Sequence, residues 1–191
     1  MSASRTRPVL AIALLAILAC GVAEAQAQVQ AQTPPTTATL EVSIAIPEKG
    51  GQRLIEYSVG DAHFHVVVRN VSDRPVTLWT AKYSWGWENL SFEVKDAAGA
   101  VRTVKKAPRE WRKNFPDACT LQPKDEMVLA VDFTSADWAG APKPTGTAAG
   151  GKFESLTMRA VYEVKPDDES RQSGVWTGRV ESPWREYTLV P

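Results

Sequence analysis

In 191 residues the chain has only two cysteines, Cys20 and Cys119, and only two histidines, His63 and His65. That is too few for a disulfide framework or a four-ligand zinc module. Charge of one sign is also lacking, because 22 Lys and Arg stand against 22 Asp and Glu. A nucleic-acid binder needs a surplus of basic residues to neutralise phosphates, so no nucleic-acid partner is expected. No Walker, dinucleotide-binding or nucleophile-elbow pattern occurs, so neither a catalytic residue nor a cofactor is expected. What remains is 43% apolar and 23% charged, the composition of one globular domain and too apolar for a disordered chain.

The one long apolar run, Val9 to Ala19, follows Arg5 and Arg7 and precedes the small-residue triplets Ala23-Glu24-Ala25 and Ala25-Gln26-Ala27. This is the layout of a secretory signal peptide over residues 1–25, and the run is too short for a permanent membrane span. Within it, Ile17-Leu18-Ala19-Cys20 resembles a bacterial lipobox, although Leu18 stands where a small residue is preferred. The alternatives are lipidation of Cys20, which would be the only membrane attachment, and simple cleavage just downstream. Residues 26–38 are Gln, Ala, Thr and Pro with one Val and no charge, which reads as a disordered linker. The folded domain is expected over 39–191, exported to the periplasm or cell surface.

From Leu40 onward the apolar period is two, as in Leu40, Val42, Ile44 and Ile46. It recurs in 62–70, 76–80, 90–94, 101–105, 123–133 and 153–164, each a half-buried strand. Turn formers separate them, such as Asn70 to Pro75 and Asp96-Ala97-Ala98-Gly99. A last pair, 175–181 and 187–190, is broken at Ser182-Pro183, where proline removes a ladder donor. Seven to nine short antiparallel strands with almost no helical pattern predict an all-β sandwich.

The segments VRNVSDRPVTLW (Val68–Trp79), LQPKDEMVLAVDF (Leu121–Phe133) and VWTGRVES (Val175–Ser182) resemble pieces of exported bacterial immunoglobulin-like sandwich domains. The resemblance implies an immunoglobulin-like antiparallel fold over most of 39–190 and no particular function.

Three constellations are candidates for a site. Tyr83-Ser84-Trp85-Gly86-Trp87 gathers three of the chain's aromatics, including two of its seven tryptophans, in a loop-like stretch. If exposed, Tyr83, Trp85 and Trp87 would stack on a sugar or anchor a protein partner; if not, they pin the loop. Trp79 and Trp176 lie within strands and are expected in the core. His63 and His65 leave one face of a strand together, so they are candidate copper or zinc ligands if Glu56, Asp61, Cys119 or a Met completes the set; otherwise they are polar residues on a solvated face. Residues 102–113 carry six basic residues and one acid around Trp111, a solvated hairpin or a site for an anionic glycan, lipid headgroup or acidic partner. Cys119 has no neighbouring base in sequence, which argues against a reactive thiol. The Gly-, Ala- and Pro-rich loop 135–151 reads as a connection. Together these features predict a non-catalytic binding module of the cell envelope, with an envelope protein as partner. The alternatives are carbohydrate held by the tryptophans and metal held by the histidines.

Overall fold

The residues with a period of two do form strands. The computed structural model describes residues 39–57, 63–96, 98–144 and 154–191, all within the compact unit Thr36–Pro191. The signal segment with Cys20, the linker 26–38 and Asp61 lie outside the described residues. Strands β1 (Leu40–Ala45), β4 (His63–Asn70) and β9 (Glu126–Asp132) make an antiparallel sheet in the order β1-β4-β9. Its inner face is the apolar half of each alternation: Leu40, Val42, Phe64, Val66, Val68 and Val131 are buried, while His63 and His65 are exposed.

The second sheet holds β2 (Glu48–Lys49), β3 (Gln52–Glu56), β6 (Leu90–Lys95), β7 (Val101–Lys106), β10 (Trp138–Ala139), β11 (Glu154–Val164), β12 (Gly178–Glu181) and β13 (Arg185–Val190). The order is β10-β7-β6-β11-β13-β3-β2, with β12 also on β11. Strands β12 and β13 follow one another along the same edge of β11. At the expected break Ser182 bridges the gap: its N–H donates to the Ala160 carbonyl and its Oγ accepts from the Ala160 N–H, both at 2.9 Å. A side-chain oxygen thus carries a ladder bond just before proline, which has no N–H.

The two sheets close over an aromatic cluster. Phe64 from the first sheet meets Phe92 from the second at 5.7 Å, and Phe133 lies 5.0 and 5.1 Å from the two, all edge-on. Edge-to-face geometry sets the positive ring rim on the negative face of its neighbour. Trp138 completes the cluster at 5.2 Å from Phe92. The protein is therefore an all-β sandwich.

Four corrections to the expected strand pattern have local causes. There are thirteen strands among the described residues, above the expected seven to nine. The additional ones are β2, β3, β10 and β8 (Ala118–Leu121), and β8 pairs with β5 (Val76–Trp79) as a separate ribbon. Sheet pairing is not wholly antiparallel, since β13 runs parallel to β3. Val175 lies before β12 and makes only a lone parallel bridge to Thr77. Among the described residues two short helices occur, α1 (Ser84–Trp87) and α2 (Asp168–Gln172).

Asn70, fully buried, ends β4 and ties the expected turn to β8. Its Nδ2 donates to the carbonyls of Arg74 (2.7 Å) and Leu121 (3.0 Å), and its Oδ1 accepts from the Ser72 N–H and hydroxyl. All its hydrogen-bonding capacity is used, which offsets the cost of burying an amide.

On the outer face of the second sheet Glu93 receives Arg159 at 2.6 Å and Arg179 at 2.7 Å, and Arg179 also reaches Glu181 and Glu163. Burial pushes the Glu93 carboxyl up, but the two guanidinium groups outweigh it and hold it below its usual 4.5. A depressed folded-state pKa contributes stability that is complete above the unfolded value and is lost as pH falls through the folded one. The stability difference between wild type and Glu93→Gln, read from urea midpoints, is therefore expected to shrink as pH drops below about 4.5. A difference that is constant with pH would show that the carboxylate charge contributes nothing.

Candidate functional site

Strand β5 ends at Trp79, and Thr80 is held by its N–H to the Asp117 carbonyl (2.9 Å) and by its hydroxyl to the Asp117 carboxylate (2.7 Å). The chain then turns into α1, whose first N–H, on Ser84, is capped by Asn114 Oδ1 at 3.1 Å from the basic loop. The stretch expected as a loop is thus one helical turn, and this decides where its tryptophans go. Residues two apart on a helix point about 200° from each other. Trp85 and Trp87 therefore enter different environments and form no coplanar pair.

Trp87 is 8% exposed. Its indole N–H donates to the Ala107 carbonyl at 3.0 Å, its ring meets Trp111 edge-on at 5.7 Å, and Lys106 Nζ stands 4.1 Å from its centroid. Trp85 is half-buried, tilted against Trp79 at 6.3 Å, and its indole N–H donates to Glu169. Tyr83 packs on Phe115 (6.1 Å) and Trp111 (6.4 Å). Trp79 is 3% exposed, in the core as expected, whereas Trp176, expected in a core strand, lies before β12, is half-buried and stacks on Tyr162 against the core.

A groove of about 400 Å³ opens beside α1. One bank is Met127, Val128, Leu129 and Ala130 of β9, and the other is Trp79, Thr80, Ala81 and Lys82. Trp87, Trp138 and Tyr162 also line it. Successive side chains of a strand leave opposite faces, so a cavity bounded by four consecutive strand residues runs along the strand's edge. Among the described residues β9 pairs only with β4, which leaves that edge open, and Val128 is 57% exposed.

Among the described residues Lys82 and Lys106 are the only charged ones lining the groove. Lys106 is 13% exposed, lies between the rings of Trp87 (4.1 Å) and Trp138 (4.4 Å), and has Asp137 at 3.8 Å. Burial lowers its pKa, with Arg109 adding to this and Asp137 opposing it. Tyr162 is 1% exposed, and its hydroxyl, with the Asn89 side chain beside it, completes no hydrogen bond of good geometry. Burial pushes the Tyr162 phenol upward, so it stays protonated. Burial, with Asp117 beside it, also raises the Cys119 thiol, the opposite of what a nucleophile needs.

On the other side of α1 lies a more polar cleft of about 580 Å³, with Trp85, Glu88, Asn89, Glu163, Asp167 and Glu169 among its residues. Its far wall is α2, started by an Asp167–Ser170 capping box. Sequence reasoning missed this helix, although Asp167 followed by Asp168 and Glu169 is an N-terminal signature.

His63 and His65 stand opposite Asp132 and Ala130 of β9. Glu56 shares a small cleft with His63, but its carboxylate pairs with Lys49. Among the described residues no three His, Cys, Asp or Glu side chains gather as a metal site. The basic segment is split by its own structure: Arg102 donates to the Gly140 carbonyl, Lys106 is half-buried between two indoles, and Arg109 lies over the rings of Trp87 and Trp111. Among the described residues no helix is long and apolar enough to cross a membrane. No protein-family model matches the chain, and no curated protein matches it significantly in sequence.

Proposed function

We propose that the chain is an exported, non-catalytic interaction module of the bacterial cell envelope, an immunoglobulin-like sandwich that binds a protein partner in the groove between β9 and residues 79–82. The observation that carries this is the open edge of β9, where Met127 to Val131 are all apolar. An apolar edge strand left uncovered is a template for association, and proteins normally blunt such edges with charge, proline or a covering element. Here the edge adjoins a groove walled by tryptophans, the residue type that most often anchors interfaces. Export is supported by the Arg-flanked apolar run, and the immunoglobulin-like family by the three turn-and-strand segments.

The test compares proteins cross-linked in the envelope to wild type, Val128→Glu and Val101→Glu. Val101 is also exposed, at 52%, and does not line the groove. A partner held by wild type and Val101→Glu and lost from Val128→Glu is expected. The same partner on all three removes the groove as its site. For export, mass spectrometry of the mature chain is expected to find a first residue between Cys20 and Gln28. A native N-terminus at Met1 would end that part of the proposal.

A second reading, carbohydrate binding, is favoured by one feature: the cleft around Trp85 combines a half-buried indole with several carboxylates. Sugars are commonly held by an aromatic face together with amide and carboxylate groups.

A further inference from the structure

Resting on the protein-binding reading above, we infer that the groove is a slot for an added β-strand: an extended partner segment pairs with the free edge of β9 and places a carboxylate near Lys82. Both banks of the groove are consecutive stretches of backbone, 127–130 and 79–82. Between the banks, Trp87, Leu90, Trp138 and Tyr162 from several elements supply an apolar floor. A slot with a strand edge along one wall matches an extended chain, whose amides pair with the edge while alternate side chains enter that floor. Alternate N–H and C=O groups of an edge strand point away from its single neighbour, and among the described residues β9 pairs only with β4. Its seven residues offer about 23 Å of edge, enough for five to seven residues of partner.

Charge selects among such segments. Among the described residues the only two charged ones lining the slot are Lys82 and Lys106. Lys106 is enclosed by two indoles, whereas the Lys82 side chain is 75% exposed with a single long contact to Asp117 at 3.6 Å. The acids at the ends of β9 are engaged elsewhere: Glu126 lies 3.7 Å from Arg69, and Asp132 accepts from the Thr134 N–H and hydroxyl. The field at the slot therefore favours an occupant with a negative group. A second copy of this chain fits less well. Antiparallel self-pairing of β9 about Leu129 would set Glu126 of one chain against Asp132 of the other, at both ends, and like charges directly opposite are destabilising.

The test uses the full chain and a random heptapeptide library, displayed with free and with blocked C-termini. Selected peptides are expected to alternate apolar residues and to be enriched in Asp or Glu. If enrichment appears only when the C-terminus is free, the carboxylate is the chain end; if it appears in both, it is a side chain. N-methylating alternate backbone amides of the best peptide is expected to weaken binding about tenfold or more, as is Val128→Lys in the protein. Lys82→Glu is expected to shift selection toward basic residues. Binding indifferent to N-methylation but lost in Val128→Lys overturns strand addition and leaves groove binding standing. No peptide above background overturns the proposal, as does a concentration-dependent dimer in sedimentation that Val128→Lys dissociates, which would assign the edge to a second copy.

Discussion

Replacing Trp87 by alanine is expected to destabilise the fold by about 3–5 kcal/mol, lowering the melting midpoint by about 10 °C, whereas Trp85→Ala is expected to cost no more than about half as much. The two residues are equivalent in sequence, each an indole beside Gly86. In the structure Trp87 is 8% exposed and sits under Lys106, Arg109 and Trp111 with its N–H bonded to Ala107. Removing it deletes a wall of the groove and uncovers Lys106. Trp85 keeps one ring contact, to Trp79, and one hydrogen bond, to Glu169, at the rim of the polar cleft. Thermal melts of the two single variants separate the roles. Equal midpoints would mean that α1 does not divide its tryptophans between inside and rim.

The second large effect is expected at Gly86. A Cβ built there would lie 2.0 Å from the Thr80 carbonyl oxygen and 2.5 Å from its carbon. Real Cβ contacts do not come so close, and the obstacle is backbone that Asp117 holds by two hydrogen bonds. Gly86→Ala must therefore lift α1 away from the end of β5, carrying both tryptophans with it. A loss of about 3 kcal/mol is expected, at the upper end for overpacking because backbone and not a side chain must yield. The melting midpoint and the tryptophan emission maximum should shift together, since displaced indoles meet water. A wild-type midpoint in Gly86→Ala would show that α1 is not docked on Thr80.

Some omissions in the sequence reading had visible signals. Gly50 and Gly51 between Lys49 and Gln52 form a two-residue hairpin turn, both with positive φ (61° and 78°), the conformation a type I′ turn needs and glycine adopts freely. That turn makes β2 and β3, and the Gly-Gly pair announced it. Strand β8 had no such signal, because Ala118 to Leu121 is short and mixed in polarity. Its partner β5 lies about forty residues earlier in the chain, a pairing that only folding brings about.

The chain's local pattern determined its class and its core. Period-two alternation marked seven of the strands, put Phe64, Phe92, Val66 and Val68 inside, and turned His63 and His65 to the surface, because side-chain direction in a strand is a local property of the backbone. The motif Asn70 to Pro75 likewise specified its own turn through the hydrogen bonds of one amide. The site was decided by tertiary structure. Tyr83 to Trp87 read as a cluster with one fate, and one turn of helix, permitted by the missing Cβ of Gly86, divided it between two cavities. The strand Met127 to Val131 read as one more half-buried strand. That one of its edges lies open beside Trp79 to Lys82 depends on the order β1-β4-β9, and strand order is fixed by long-range pairing that no local window contains.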